Sequence, residues 1–216
     1  MPLNALPEET SPEALERSEK DVSEPISNGP SEKGVAALIW PAHMKDGQHC
    51  RDMTLFVDDD GKCYHIYASE HNSTLHVAEL SEDYLSYTPR WWRITPKDWT
   101  EAPAVCKRRG WYYLVGSGCT GWKPNEARYY RAKELCGPWQ RCGNPAKGVN
   151  PANRMGPEST WGGQSTFIIP PCPATGNRYI AMFDIWRPQN AIDGRYMWLP
   201  MEFDQDGFLS IPFVSE

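Results

Sequence analysis

A strand–turn–strand–loop–strand pattern occurs three times along this chain and constrains its fold more than any other feature. The segments "MTLFVDDDGKCYHIYASE", "APAVCKRRGWYYLVGSG" and "STFIIPPCPATGNRYIAMFDIW" each predict a hairpin, with turns at Asp60–Gly61, Arg109–Gly110 and Gly176–Asn177. A further strand follows each hairpin, in "STLHVAEL", "ARYYRAKEL" and "RYMWLPMEF". The repeats start roughly 50 to 60 residues apart, and no long amphipathic helix separates them. In an all-β chain, this period predicts the blades of a β-propeller, and we expect antiparallel four-stranded blades that begin near residue 37 and continue to the C-terminus.

A polar residue stands just before the first strand of each repeat. These residues are Asp52 in "RDMTLF", Glu101 in "TEAPAV" and Gln164 in "GGQSTF". The innermost strand of a propeller blade begins near the central axis. Three neighbouring blades would therefore direct these three side chains into one cavity. This would explain why the carboxylate of Glu101 stands at the start of an apolar run.

The first 35 residues differ in composition from the rest. They hold eight acidic and three basic residues, a net charge of −5 out of −6 for the whole chain, and they contain no aromatic residue. Such a segment cannot bury enough apolar surface to fold, so we expect residues 1–35 to form a disordered acidic tail, with at most a transient helix capped by Ser11. Residues 36–216 then form the folded domain.

The composition also argues against several classes of partner and cofactor. The remainder of the chain is close to neutral, which predicts no nucleic-acid partner, and no run of ~20 apolar residues predicts a membrane span. The seven cysteines include no CxxC pair, so we expect no zinc site. A Cys136–Cys142 disulfide is possible, but free thiols are favoured. The Asp58–Gly61 run lacks the alternating ligands of a calcium loop and is interpreted as a charged turn. We expect no cofactor.

Several long segments, in order, resemble glycoside hydrolase family 43, a family of five-bladed β-propellers. The segments are "RDMTLFVDDDGKCYHIYASEHNSTLHVAEL", "EAPAVCKRRGWYYLVGSGCTGWKPNEARYY", "GPW", "GGQSTF" and "RYMWLPMEF", and together they cover residues ~50 to 204. The resemblance is greatest to the branch that contains exo-β-1,3-galactanases. It implies an inverting hydrolase that acts on β-1,3-galactan or a related galactose-containing polysaccharide or oligosaccharide.

The resemblance also implies roles for individual residues. Glu101 matches the general acid, Asp52 matches the residue that tunes and orients that acid, and Gln164 matches an amide near the attacking water. Positions that surround the terminal sugar are matched by Asn72, Thr120 and Trp122. Without the resemblance, Glu101 would be interpreted as a strand-end ion-pair partner and Asp52 as a partner of Arg51 or a turn cap. Trp186, Arg187 and Tyr196 could line the cavity, although strand packing explains them almost as well. Asn72 also begins a glycosylation sequon, Asn72-Ser73-Thr74. A glycan and a pocket role exclude each other at this side chain, and we favour the pocket role.

The match to the family starts late in the family's pattern. Two acidic motifs that come before the "RDM" segment in the family are not found here, and the sequence accounts for about three blades of five. We therefore expect an N-terminally truncated propeller with impaired activity. The family is mostly extracellular, but the N-terminus has neither the basic start nor the apolar segment of a secretory signal. The alternative is a non-catalytic propeller remnant that binds carbohydrate or serves as an interaction module.

Overall fold

The computed structural model describes residues 50–214, in which β-strands and four short 3-10 helices are joined by turns and loops. Within this range, no helix has the length and apolar character needed to cross a membrane. The prediction of a disordered tail over residues 1–35, with its helix capped by Ser11, lies outside the described residues. So does the predicted start of the first blade near residue 37.

Three antiparallel sheets follow one another along the chain, each made of strands adjacent in sequence. The first two have four strands in the order β1-β2-β3-β4 and β5-β6-β7-β8, and the third has three in the order β10-β11-β12. Their bounds are β1 Met53–Val57, β2 Cys63–Ser69, β3 Thr74–Leu80, β4 Tyr87–Ile94, β5 Thr100–Arg108, β6 Trp111–Gly118, β7 Ala127–Ala132, β8 Gln140–Gly143, β10 Gln164–Ile169, β11 Ile180–Ile185 and β12 Arg195–Pro200. The all-β class is thus confirmed for the described residues, and each predicted hairpin and following strand is present.

A fourth, small sheet departs from the expected pattern of four-stranded antiparallel blades. It joins β13 Glu202–Phe203, β14 Leu209–Pro212 and β9 Ala146–Lys147 in the order β13-β14-β9, and the β14–β9 pairing is parallel. The C-terminal strands therefore pair with each other and with the segment after β8 instead of adding a fourth strand to β12. The prediction of four strands is wrong for the third repeat.

The hairpin turns follow from local sequence. Arg108 pairs with Trp111, which leaves a two-residue connection in which Arg109 has φ 50° and Gly110 has φ 73°. Two successive left-handed residues make the type I′ turn that matches the twist of paired strands. In the first hairpin, Val57 pairs with Cys63 and Gly61 has φ 81°. The Asp58 side chain accepts hydrogen bonds from Lys107 and Tyr112 there.

The sheets stack face to face through two apolar cores. One lies between the first and second sheets, with Ile66, Val77 and Leu114 fully buried. The other lies between the second and third sheets and includes Trp161 and Phe183. Strand β5 contacts both β1 and β10. The starts of these three strands lie together, since hydrogen bonds join Asp52 to Ala102 and Gln164 to Glu101.

Candidate active site

Glu101 lies at the start of β5 and is the centre of the site. Its Oε2 accepts a hydrogen bond from Asn72 Nδ2 at 2.9 Å, and its Oε1 accepts one from Gln164 Nε2 at 3.2 Å. A bulge in β5 follows directly, where Ala102 has φ 52°. Bulges bend a strand and redirect a side chain, and this one turns the half-buried Glu101 carboxyl toward residues of the other two sheets.

The surroundings of Glu101 favour its protonated form relative to an ordinary glutamate. Burial raises the pKa of Glu101, and the negative charge of Asp52 raises it further. The nearby Cys119 thiol, the hydrogen bond from Gln164 and the charge of Arg51 act in the opposite direction but do not reverse the shift. A carboxyl with a raised pKa can act as a proton donor closer to neutral pH.

Asp52 connects the first sheet to the residue that follows Glu101. Its Oδ2 accepts a hydrogen bond from the Ala102 backbone N–H at 3.1 Å, and its own carbonyl oxygen accepts one from Ala68 N at 2.9 Å. Asp52 therefore holds the bulged backbone and places a negative charge beside Glu101. Its side chain thus bonds to the second sheet and not to a turn of its own segment, which was one of the two alternative interpretations of the sequence.

Gln164 arrives from the third sheet, at the start of β10. Its Nε2 also donates to Ser117 Oγ at 2.8 Å, and Ser117 is the cross-strand neighbour of Glu101. The preceding segment is anchored by the fully buried Trp161, whose Nε1 donates to Gly148 O, and by Thr160, whose hydroxyl donates to Asn125 O. The position of Gln164 is thus set by packing rather than by a free loop.

Asn72 belongs to a strained connection between β2 and β3. Glu70, His71 and Asn72 have φ values of 49°, 58° and 67°, so three successive non-glycine residues are left-handed. Each such residue costs on the order of 1–3 kcal/mol and persists only where its surroundings fix it. Asn72 Oδ1 is buried and accepts no hydrogen bond from residues 50–214. It is therefore available to a hydroxyl that enters the site.

An open cleft adjoins Gln164. It is formed by the loop 121–125, the segment 162–164, Ser117 and Trp186. Trp122 and Trp186 meet edge to face, with ring centroids 4.6 Å apart and an interplanar angle of 68°. Trp122 is 62% exposed, so one indole surface faces solvent at the cleft. Of the residues predicted to contact the sugar, Trp122 lines this cleft and Asn72 donates a hydrogen bond to Glu101.

Thr120 follows β6 and lies in the loop that carries Trp122, and its contact with the sugar stays a prediction. Its hydroxyl donates to Lys123 O and accepts from Asn125 Nδ2 at 2.6 Å. It therefore braces the loop that carries Trp122 and is not among the described residues that line the cleft. Tyr196 is 74% exposed on β12 and lies outside that lining too.

Sequence reasoning missed two residues at the site. One is Ser117, which joins Gln164 to the second sheet. The other is Cys119, whose thiol donates to Trp99 O at 3.2 Å; burial, together with the nearby charge of Glu101, raises the pKa of this thiol to about 12. All seven cysteines are free thiols, and no disulfide joins Cys136 to Cys142. Within residues 50–214, no three His, Cys, Asp or Glu side chains are grouped to hold a metal ion.

The sequence matches the family described as glycosyl hydrolases family 43 over residues 36–171. A solved family 43 β-1,3-galactosidase with galactodeoxynojirimycin is 46% identical, with a TM-score of 0.74; the match covers 83% of this chain and 50% of that one. An exo-β-1,3-galactanase from Clostridium thermocellum is 37% identical with a TM-score of 0.68, covering 79% of this chain and 36% of that one.

A curated relative, the β-D-galactofuranosidase xynD of Aspergillus niger, is 33% identical over 95 residues, which is 43% of this chain and 27% of that protein. The chain thus spans at most half the length of these three proteins. The family match covers more than half of the chain and includes Asp52, Asn72, Glu101 and Gln164. The chain belongs to glycosyl hydrolases family 43.

Proposed function

We propose that this protein is a glycoside hydrolase that acts on β-1,3-galactan or a related galactose-containing polysaccharide, with inversion at the anomeric carbon. One observation carries the proposal: Asn72 and Asp52 from the first sheet and Gln164 from the third converge on Glu101 of the second. The galactosidase and galactanase names of the similar solved proteins support the choice of sugar.

Glu101 is the proposed general acid. Its raised pKa keeps a proton available for the glycosidic oxygen, which must be protonated as the bond to the sugar breaks. Asp52 has two effects in this proposal. Its charge helps raise the pKa of Glu101, and its hydrogen bond to the Ala102 N–H fixes the backbone next to the acid.

Gln164 is the proposed residue that orients the attacking water. Its Nε2 is occupied by Glu101 and Ser117, whereas its Oε1 accepts no hydrogen bond from the described part of the chain. That oxygen can accept a hydrogen from water and direct the water's lone pair to the anomeric carbon. An amide is a very weak proton acceptor, so Gln164 contributes positioning rather than strong base catalysis.

The terminal galactose is proposed to bind between the Trp122 indole and Asn72. A flat aromatic surface packs against the apolar face of a sugar, and Trp122 offers such a surface beside Gln164. Asn72 Oδ1 would accept a hydrogen bond from a sugar hydroxyl. This bond would satisfy a buried oxygen that has no other hydrogen-bond partner among the described residues. Thr120 supports binding indirectly, through the loop that it braces.

We further propose that the three stacked antiparallel sheets are successive blades of a five-bladed propeller and that the 216-residue chain hydrolyses galactan slowly. The stacking of neighbouring sheets and the inward starts of β1, β5 and β10 support the blade assignment. The chain matches half the length of the similar β-1,3-galactosidase, and this supports the proposal of slow turnover. Substrate positioning can supply about 7–11 kcal/mol in well-oriented sites, and a partial pocket would lose much of it.

A second candidate function is carbohydrate binding without turnover. The observation that favours it is Gln164 itself, because an amide stands where a base would be useful. Calorimetric titration of the full chain with galactodeoxynojirimycin, compared with Trp122→Ala, tests the pocket without requiring catalysis. Binding that is lost in Trp122→Ala supports a sugar site. Equal heats in both proteins contradict it.

Hydrolysis is tested by galactose release from a β-1,3-galactan over a long incubation. We expect release by the native chain and a loss of about 10²–10⁴-fold in Glu101→Gln, which keeps the side-chain shape but cannot donate the proton. The matched control is Glu79→Gln, a glutamate on β3 that pairs with Lys62 and Arg90. Equal rates in the native chain and Glu101→Gln would show that Glu101 is not the acid, and binding without release in any protein would favour the second candidate.

A further inference from the structure

The connection between β2 and β3 is held by a buried ionic group that the proposed reaction does not use directly. Glu70 Oε1 and Oε2 accept hydrogen bonds from Arg93 Nε at 2.6 Å and Nη2 at 2.7 Å, and His76 Nε2 lies 2.8 Å from Glu70 Oε1. The side chains of Glu70, His76 and Arg93 are 4%, 0% and 8% exposed. Tyr67 OH lies 3.3 Å from His76 Nδ1 and completes the group.

This group fixes the start of the left-handed segment 70–72. A paired, fully desolvated carboxylate with a two-point arginine contact has one favourable geometry, because any displacement leaves a buried charge uncompensated. Burial raises the pKa of Glu70, but the hydrogen bonds and charges of His76 and Arg93 outweigh it and lower the pKa to about 2. Glu70 is therefore ionised at neutral and mildly acidic pH.

The segment is an unusual way to join two strands. The β5–β6 connection of the same chain needs only two left-handed residues, one of which is glycine. The β2–β3 connection instead places three non-glycine residues in that region, and its last residue donates to Glu101. Strain that surrounding contacts maintain next to a reactive carboxyl is the pattern expected of a preorganised site.

We propose that Glu70, clamped by Arg93 and His76, is a positioning residue that holds segment 70–72 in its left-handed form so that Asn72 donates to Glu101. This inference rests on the proposed function for the role of Glu101. A hydrogen bond to a carboxylate favours its ionised form, so on this proposal the bond from Asn72 opposes the effects of burial and Asp52 on Glu101. The remaining groups that face Glu101 are Arg51, Cys119 and Gln164, and they do not contact Glu70 in the described hydrogen bonds.

The test measures the ionisation of Glu101 directly in the full chain. Glutamate labelled with ¹³C at the carboxyl carbon gives one NMR titration curve per residue, and the Glu101→Gln protein identifies the Glu101 signal. Asn72→Ala removes the donor, and Glu70→Gln removes the clamp. We expect each to lower the acid dissociation constant of Glu101 by about three- to tenfold, a modest effect because Glu101 is half-exposed. The double variant should show no further change.

Glu79→Gln is the matched control, since it removes a buried glutamate with two cationic partners from the same sheet. It should leave the Glu101 curve unchanged. If Glu70→Gln does not fold, Arg93→Lys keeps the charge but loses the two-point contact, and it should shift the Glu101 curve in the same direction by less.

An Asn72→Ala shift without a shift in Glu70→Gln, or in Arg93→Lys where that variant replaces it, overturns the proposal. Additive shifts in the double variant overturn it as well. If the shifts appear as expected but no variant or native chain releases galactose, the proposed function fails while the positioning relationship stands.

Discussion

Gly116 on β6 offers a direct way to displace Glu101, the proposed general acid, without changing its side chain. A Cβ at this position would lie 2.7 Å from Thr100 Cγ2 and 2.8 Å from the carbonyl oxygen of Glu101. Ordinary van der Waals contacts of a Cβ begin near 3.4 Å. Gly116→Ala therefore forces the backbone at Glu101 to move by about 0.6 Å, the difference between 2.8 Å and 3.4 Å.

Two consequences follow for Gly116→Ala. Overpacking a well-packed site typically costs about 1–3 kcal/mol, and for a chain of this size each kcal/mol lowers the melting temperature by roughly 2–4 °C. A misplacement of about 1 Å at a reactive group can cost on the order of 10²-fold in rate, so we expect galactan hydrolysis to fall about 10- to 100-fold. Thermal unfolding followed by circular dichroism, with galactose release on the same samples, measures both.

Thr100→Ser distinguishes the contact of the new Cβ with Thr100 Cγ2 from its contact with the Glu101 carbonyl oxygen. Serine keeps the hydroxyl that bonds to Tyr130 at 2.7 Å but removes Cγ2, so the Gly116→Ala/Thr100→Ser protein should regain part of its stability. The activity should stay low because the contact with the Glu101 carbonyl remains. An unchanged melting temperature and rate in Gly116→Ala would refute this reasoning, as would full recovery of activity in the double variant.

Three further predictions concern ionisation. Hydrogen bonds from Thr175 lower the pKa of the Cys172 thiol, while burial and the charge of Glu101 raise that of Cys119 to about 12; iodoacetamide at pH 8 should therefore modify Cys172 first, as mass spectrometry of the digested peptides would show. Because the pKa of Glu101 is raised on folding, ionisation above pH 4.5 opposes folding, so Glu101→Gln should raise the melting temperature at pH 7 and leave it unchanged near pH 3. Burial raises the pKa of Asp58, but the hydrogen bonds from Lys107, Tyr112 and the Asp59 backbone N–H, together with the charge of Lys107, outweigh it and lower the pKa. The stability that ionised Asp58 contributes is therefore present above pH 3.8 and lost as the pH falls through the lowered pKa of the folded state, so the destabilisation in Asp58→Asn should shrink as the pH falls under 3.8.

Much of the fold could be predicted from the sequence because its signals are local. Apolar alternation and the turns at Asp60–Gly61 and Arg109–Gly110 depend on neighbouring residues, and the structure has both hairpins. The pairing of β14 with β9 joins Ile211 to Ala146, and such a long-range contact leaves no local trace. Because β13 and β14 pair with each other and with β9, the third repeat has three strands where four were expected.

The site was predictable only in part, because the register between β5 and β6 changes at a bulge beside Glu101. From the pair Arg108–Trp111, regular pairing would place Gly118 opposite Glu101, but the bulge at Ala102 shifts the partner to Ser117. A bulge that one positive φ creates is invisible in an Ala-Pro-Ala sequence. The roles of Asp52, Glu101 and Gln164 remain predictions, but their convergence follows from their equivalent places before the first strands.

The most direct test of the account is the anomeric form of the first sugar released. The full chain is incubated with β-1,3-galactan, and ¹H NMR records the anomeric protons of free galactose before mutarotation equilibrates them. We predict that α-galactose appears first, as inversion of a β-linkage requires, and that its signal is lost in Glu101→Gln. Release of β-galactose first, or an undiminished α-galactose signal from Glu101→Gln, would contradict the account.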